Sequence, residues 1–394
     1  MKWTHGLIVG LVIAFLFVVE CFFVYRYYTT ILPGGNDFYP RWAGAKAFIL
    51  EGRDPYSLEV TKEIEAVLDP LQRRTNSFSF AFPLHVIVTF WPLVFVSYPW
   101  AQAIWMVTIQ WMAIALLVVV LWRWEWRPSP LAAAALLFAT LLFYPITRSF
   151  FLGQFTVHVT LLLALTMLFL HRRADGWAGI CLALTTIKPQ MVIFLGPWLV
   201  LWAIGQKRWR FLAGLLGMGG GVLLGSLLLF PRWPLAFVAD LSRYAEVASG
   251  RNPLELLSES IWPEGATFIR VGLTVLLLGA MFWAWWWGRR ADENTFELAT
   301  YWTIAVGLLL PFQTGTTNQV MLFIPLFAWW WAAWQRWGKV MWLVAAAFLV
   351  ILWVLFLKTI DNSYENPLMF LPLPFLSLAV LAGMTYTTIK RNPL

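Results

Sequence analysis

Charge is scarce in this chain. Only 12% of its 394 residues are Asp, Glu, Lys or Arg, about half the share in a water-soluble domain. That excludes a soluble enzyme. Cysteine is scarcer still. Cys21 and Cys181 both lie in apolar runs, so neither a disulfide framework nor a thiolate metal site is expected. HExxH, zinc-type His/Cys spacing, a P-loop, a GxGxxG turn and a D-x-D pair are all missing. No cofactor and no metal are therefore expected. No run alternates over ~10 residues in the manner of an outer-membrane strand, and no repeat of ~20–50 residues is present.

Apolar residues fill the remainder. The chain is 60% hydrophobic, with 27 Trp and 31 Phe, and its mean hydropathy is +0.71. This predicts an all-α polytopic membrane protein, one domain over 1–394. Apolar segments suited to ~30 Å of hydrocarbon lie at 6–28, 100–122, 130–146, 155–170, 177–187, 189–205, 211–230, 267–287, 296–312, 319–335, 340–357 and 368–389. The 177–205 stretch is split at Lys188-Pro189, which gives about 12 transmembrane helices. The N-terminal run lacks a small-x-small cleavage site and reads as a retained helix.

Charge sets the topology. The run 80–97 is short and contains Pro83 and Pro92. If it does not cross, Arg123, Arg127, Arg172, Arg173, Lys207, Arg208, Arg289, Arg336 and Lys390 all face the cytoplasm, as the positive-inside bias requires. Both termini are then cytoplasmic in the plasma (inner) membrane, and 80–97 is a surface-lying or re-entrant helix pair. The net charge of +8 follows from that bias, and no nucleic-acid partner is expected. The inner loops read as plain anchors. The non-basic polar residues collect outside, which is where the active site is expected.

The first outer loop, 26–97, is the most polar part. Asn36 or Asp37 is the expected cap of a helix over 38–50 that ends at Gly52. Ser57 is the expected cap of a second, over 58–69. Phe38, Trp42, Ala45 and Ile49 form one apolar stripe, read as lying on the membrane surface.

Asp37, in GGNDFYPRW, is the candidate general base for a hydroxyl nucleophile, with helix capping as the competing role. Arg41 lies one turn on and is placed to pair with Asp37 or to hold a phosphate. Lys188, in TTIKPQ with Gln190 beside it, is a charge between apolar helices and a candidate phosphate partner. Arg148 and Gln154 occupy the short outer connection 147–154. They are candidates for a headgroup and for a hydroxylated ligand. Gln313, Asn318 and Gln319, in PFQTGTTNQ, and His85 complete the sugar- or acceptor-binding set. His158 reads as a core polar residue, and Glu20 is an acid within the first helix.

Four blocks carry a resemblance: GGNDFYPRWAGAKAFILEGRDPY, FAFPLHVIVTFWPL, LGQFTVHVTLLLAL and AGICLALTTIKPQ. In this order, over about residues 33–190, they resemble glycosyltransferase family 87 of the GT-C superfamily. Leu84 stands where the family pattern has its second proline. The resemblance implies a GT-C-like bundle with short surface helices in the first extracytoplasmic loop. It also implies a polyprenyl-phosphate sugar donor, and in that superfamily the first outer loop supplies a catalytic aspartate, here Asp37. Mannose or a related hexose or pentose would pass to an envelope glycolipid or glycan with inversion. Lys188, Arg41 and Arg148 would stabilise the leaving phosphate. The expected partners are thus the lipid-linked sugar, a lipid or glycan acceptor and membrane lipids. A transporter or flippase for a lipid-linked sugar is the alternative, but no second broken helix matches the one at Lys188, as duplicated transporter halves would require.

Overall fold

The computed structural model describes residues 2–32, 34–69, 78–247, 252–289, 292–310, 315–360 and 365–391. No strand occurs among them. A helix stands at each of the twelve expected segments, but among the described residues six are long and apolar enough to cross a membrane, or seven if one bent pair counts as a span. The bent pair revises the expected single helix at 130–146. Pro130–Leu141 ends, turns by 57° and continues as Tyr144–Leu152. The break expected at Lys188 is present: Asp175–Leu184 gives way to short 3₁₀ turns at Thr185–Ile187 and Pro189–Met191 before Leu195–Gly205 begins. Pro189 lacks the N–H an α-helix needs there.

The chain divides into two compact units. The first comprises Met1–Ala113, Arg148–Phe155 and Val222–Ser249. Its long helix Lys2–Val24 exposes Leu7, Leu11, Phe15 and Val18, as a helix facing lipid does. The acid within it is paired, because Trp111 Nε1 donates to Glu20 at 2.9 Å.

Two helices follow in the outer loop. Tyr39–Glu51 is closed by Gly52 in the left-handed conformation, and Leu58–Leu68 is capped by Ser57, whose Oγ accepts from the Val60 amide. The segment 80–97 folds as two 3₁₀ helices, Leu84–Thr89 and Trp91–Phe95. Of the expected stripe, Ile49 is exposed, but Phe38, Trp42 and Ala45 are buried in the protein and do not lie against lipid. Phe38 and Ala45 are fully buried, and Phe38 stacks on Trp105 with ring centroids 5.2 Å apart. Trp42 Nε1 donates to the Leu93 carbonyl at 2.8 Å. Phe38 and Trp42 are taken up by an aromatic cluster that includes Phe90, Tyr98 and Trp105.

The second unit comprises Ile114–Thr147, Thr156–Gly221 and Gly250–Leu394. Here Thr156–His171 packs on Asp175–Leu184, and Glu293–Leu309 packs on both Ala266–Gly288 and Pro372–Arg391. Leu254, Leu277, Met281, Val306 and Leu309 form one of its buried clusters.

Candidate functional site

The loop that carries Asp37 is built backbone first. Gly35 N–H donates to the Phe151 carbonyl at 3.2 Å, and Asp37 N–H donates to the Leu152 carbonyl at 3.1 Å. Tyr98 Oη donates to the Gly34 and Gly35 carbonyls at 2.8 and 3.1 Å. The GGND loop is thereby sewn to the end of Tyr144–Leu152. Gly35 has φ +68°, and a Cβ there would meet Tyr98 Oη at 2.7 Å, so glycine is required.

Gly153 closes the other side. Its φ is +73°, and a Cβ would lie 2.5 Å from Phe38 Cβ, while its carbonyl accepts from Trp105 Nε1 at 2.9 Å. The Gly153→Ala substitution is expected to cost about 2 kcal/mol or more, from left-handed strain plus overlap with a fully buried ring. A thermal melt of the detergent-purified protein checks this, since Ala at an unstrained, open glycine would leave the melting temperature almost unchanged.

This scaffold delivers two side chains to each other. Gln154 Nε2 donates to Asp37 Oδ2 at 2.8 Å. Asp37 is not a helix cap: the helix starts at Tyr39, and its cap position is Phe38, with no side-chain bond. The half-buried carboxylate accepts this bond through Oδ2. Gln154, expected to touch a ligand, is bonded to Asp37 here. Arg41 sets its guanidinium over the Phe82 ring, 4.4 Å from the centroid. His85 meets the Trp233 ring edge-on at 6.2 Å. Arg148 lies within the helix Tyr144–Leu152, not in the loop expected there, because the chain re-enters a helix after the bend at 142–143.

Asp240 joins this unit without having been signalled by sequence pattern. It is 1% exposed, and its Oδ2 accepts from the Ala81 amide at 2.9 Å while Oδ1 accepts from Arg243 at 3.2 Å. Ala81 has φ +43°, unusual for a residue with a Cβ. Asp240 thus pins the strained turn leading into Phe82 and the 3₁₀ pair. Burial pushes its carboxyl above the usual aspartate range, against the lowering effects of the Ala81 amide and Arg243. The fold penalises the ionised form, so the penalty is full above the folded-state pKa and fades as pH falls through it. On acidification from neutral pH the wild type is expected to gain melting temperature relative to Asp240→Asn. A parallel or opposite trend in paired melts would contradict this.

In the second unit, Lys188 and Asn318 meet. Lys188 is 4% exposed, and its Nζ donates to Asn318 Oδ1 at 2.8 Å. Asn318 is therefore a partner for the buried charge. Its 3₁₀ helix, Thr316–Leu322, keeps Thr316, Thr317, Asn318 and Gln319 all buried. Gln319 Nε2 donates to the Phe370 carbonyl at 3.0 Å, while its Oε1 has no hydrogen-bond partner among the described residues.

Sequence reading missed Glu365, which accepts from Thr316 Oγ1 at 2.7 and 2.8 Å and from Tyr144 Oη at 2.5 Å. The polar string DNSYEN before Pro367 was its one available signal. Gln190 is exposed on the turn after Lys188. Gln313 lies outside the described residues. His158 Nδ1 is buried with no partner among the described residues, so it is not the satisfied core residue that was expected.

The family model for glycosyltransferase family 87 matches residues 80–311. No curated protein and no solved structure matches the chain. The matched region contains three of the four resembling blocks, with Arg148, Gln154 and Lys188. It also reaches well past 190, into helices outside the four blocks. The Asp37 loop precedes it. A match over more than half of a chain built from long apolar helices is decisive: the protein belongs to glycosyltransferase family 87 and is a membrane glycosyltransferase.

Proposed function

We propose that this enzyme transfers mannose or a related hexose or pentose from a polyprenyl-phosphate donor to an envelope glycolipid or glycan. The reaction runs on the extracytoplasmic face of the plasma membrane. Asp37 takes the proton of an acceptor hydroxyl as its oxygen bonds to the anomeric carbon. The carbon–oxygen bond to phosphate breaks, polyprenyl phosphate leaves with the electron pair, and the anomeric centre inverts. Lys188, Arg41 and Arg148 are the cations assigned to the phosphate. His85, Gln190, Gln313, Asn318 and Gln319 are assigned to sugar or acceptor hydroxyls, and Gln154 holds Asp37.

The observation that carries this reading is the 2.8 Å bond from Gln154 to Asp37. It ties the carboxylate outside the family match to a Gly-Gln pair inside it. A capping or merely solvated aspartate would not need a loop sewn to a second helix to aim it.

The test reconstitutes the purified enzyme in vesicles with an envelope-lipid extract and a panel of labelled polyprenyl-phosphate sugars. Label appearing in a glycolipid or glycan is the expected result. Label that crosses the bilayer still attached to its polyprenyl carrier, with no transfer from any donor, would replace the transferase with a flippase.

A further inference from the structure

The two segments that meet at Asp37 and Gln154 rest on the same surface, and one helix supplies it. On Tyr98–Arg123, Tyr98 and Trp105 stand about two turns apart on one face. Tyr98 Oη donates to the Gly34 and Gly35 carbonyls, just before Asp37. Trp105 Nε1 donates to the Gly153 carbonyl at 2.9 Å, directly before Gln154.

The rings repeat the pattern on the other side of each polar residue. Phe38, directly after Asp37, stacks on Trp105 at 5.2 Å and lies 6.3 Å from the Tyr98 ring. Phe155, directly after Gln154, lies 4.8 Å from the same Trp105 ring. Asp37 and Gln154 are each flanked, before and after in the chain, by residues that contact this one helix face. Trp105 is 2% exposed and touches both segments. Between it and Tyr98 lies Gln102, 1% exposed, and a Cβ at Gly34 would come within 3.0 Å of its Nε2. Packing alone asks for less. Phenylalanine at both positions would fill much of the same space, but it could not donate to a backbone carbonyl. A hydrogen bond fixes distance and direction in a way that ring contact does not.

We propose that Trp105 and Tyr98 are positioning residues for the transfer reaction. Acting through the backbone and rings beside Asp37 and Gln154, they set the separation of that pair and hold the carboxylate where an acceptor hydroxyl meets it. Neither touches substrate. The inference rests on the reading of Asp37 as the general base, and goes beyond it by assigning what aims that base.

Tyr98→Phe removes one hydroxyl, and Trp105→Phe removes the indole N–H while keeping a ring. Both are assayed in reconstituted vesicles with labelled polyprenyl-phosphate mannose, glucose and arabinose, and an envelope-lipid extract as acceptor. Each variant is expected to lower the turnover number by about 10–100-fold, the penalty for misplacing a reacting group by about 1 Å. Donor affinity, titrated separately, should stay close to that of the wild type. Trp111→Phe is the contrast. It loses an indole hydrogen bond on the same helix, to Glu20 at 2.9 Å, and should keep wild-type turnover. The decisive readout is the Asp37→Asn background, in which neither Tyr98→Phe nor Trp105→Phe should lower turnover further, because no base is left to aim. Wild-type turnover in both single variants, the same fold-loss with and without Asp37, or an equal loss in Trp111→Phe would overturn the positioning role. Wild-type turnover in Asp37→Asn, or transfer from none of the donors, would instead overturn the reading beneath it.

Discussion

Replacing Asp37 by Asn lowers the turnover number by about 10²–10⁴-fold, the usual contribution of a positioned general base. The argument is local. Asn has the same shape, and its Oδ1 still accepts from Gln154 Nε2, so the loop sewn to Phe151 and Leu152 keeps its place. What disappears is an oxygen basic enough to take the acceptor's proton as the new bond forms. Affinity for polyprenyl phosphate should change by no more than a few-fold, because the carboxylate contributes nothing favourable to a bound anion. Steady-state kinetics and a separate donor-binding titration distinguish these two quantities. Wild-type turnover in Asp37→Asn would remove the base from Asp37. Turnover and donor affinity falling together would make Asp37 a structural residue instead. Gln154→Ala should fall in between: the base remains ionisable but loses its aim, and restoration by Gln154→Asn is not expected, since the shorter amide cannot span to Oδ2.

How much of this could be read in the chain depends on how far each signal reaches. Helix position is local information, and a helix occurs at each of the twelve apolar segments. The break at Lys188 is written in one dipeptide, because Pro189 removes a donor wherever it sits. Span number is harder to read. Hydropathy measures composition, yet the 57° bend after Leu141 and the short helices Thr156–His171, Asp175–Ile187 and Leu195–Gly205 are set by packing partners.

The stripe Phe38–Trp42–Ala45 shows the same limit, since the pattern announces a buried face without naming what buries it. The pairing of Asp37 with Gln154 joins residues 117 positions apart. Both were picked out separately as polar exceptions in apolar surroundings, and nothing in one predicts the other. Asp240 and Glu365 were missed because each looks like an ordinary helix or loop acid. Only burial, with Ala81 or Thr316 as partner, marks them.

Lys188→Met separates binding from chemistry in the opposite direction from Asp37→Asn. An ammonium this deeply buried costs several kcal/mol unless it is paired, and one of its partners is the amide oxygen Asn318 Oδ1 at 2.8 Å. The ammonium is the charge proposed to meet the donor's phosphate. Methionine keeps the length and removes the charge. It leaves the Asn318 oxygen buried without this donor, at a cost of about 1–3 kcal/mol in stability. Loss of one charge-assisted contact to phosphate is expected to weaken polyprenyl-phosphate binding by about 10–100-fold, with a smaller effect on turnover at saturating donor. Asn318→Ala provides the contrast. It should destabilise the fold by a comparable amount while leaving the charge, and hence most of the donor affinity, in place. If Lys188→Met and Asn318→Ala lose stability alike and both bind donor as the wild type does, Lys188 serves the packing of its broken helix and the phosphate is held elsewhere.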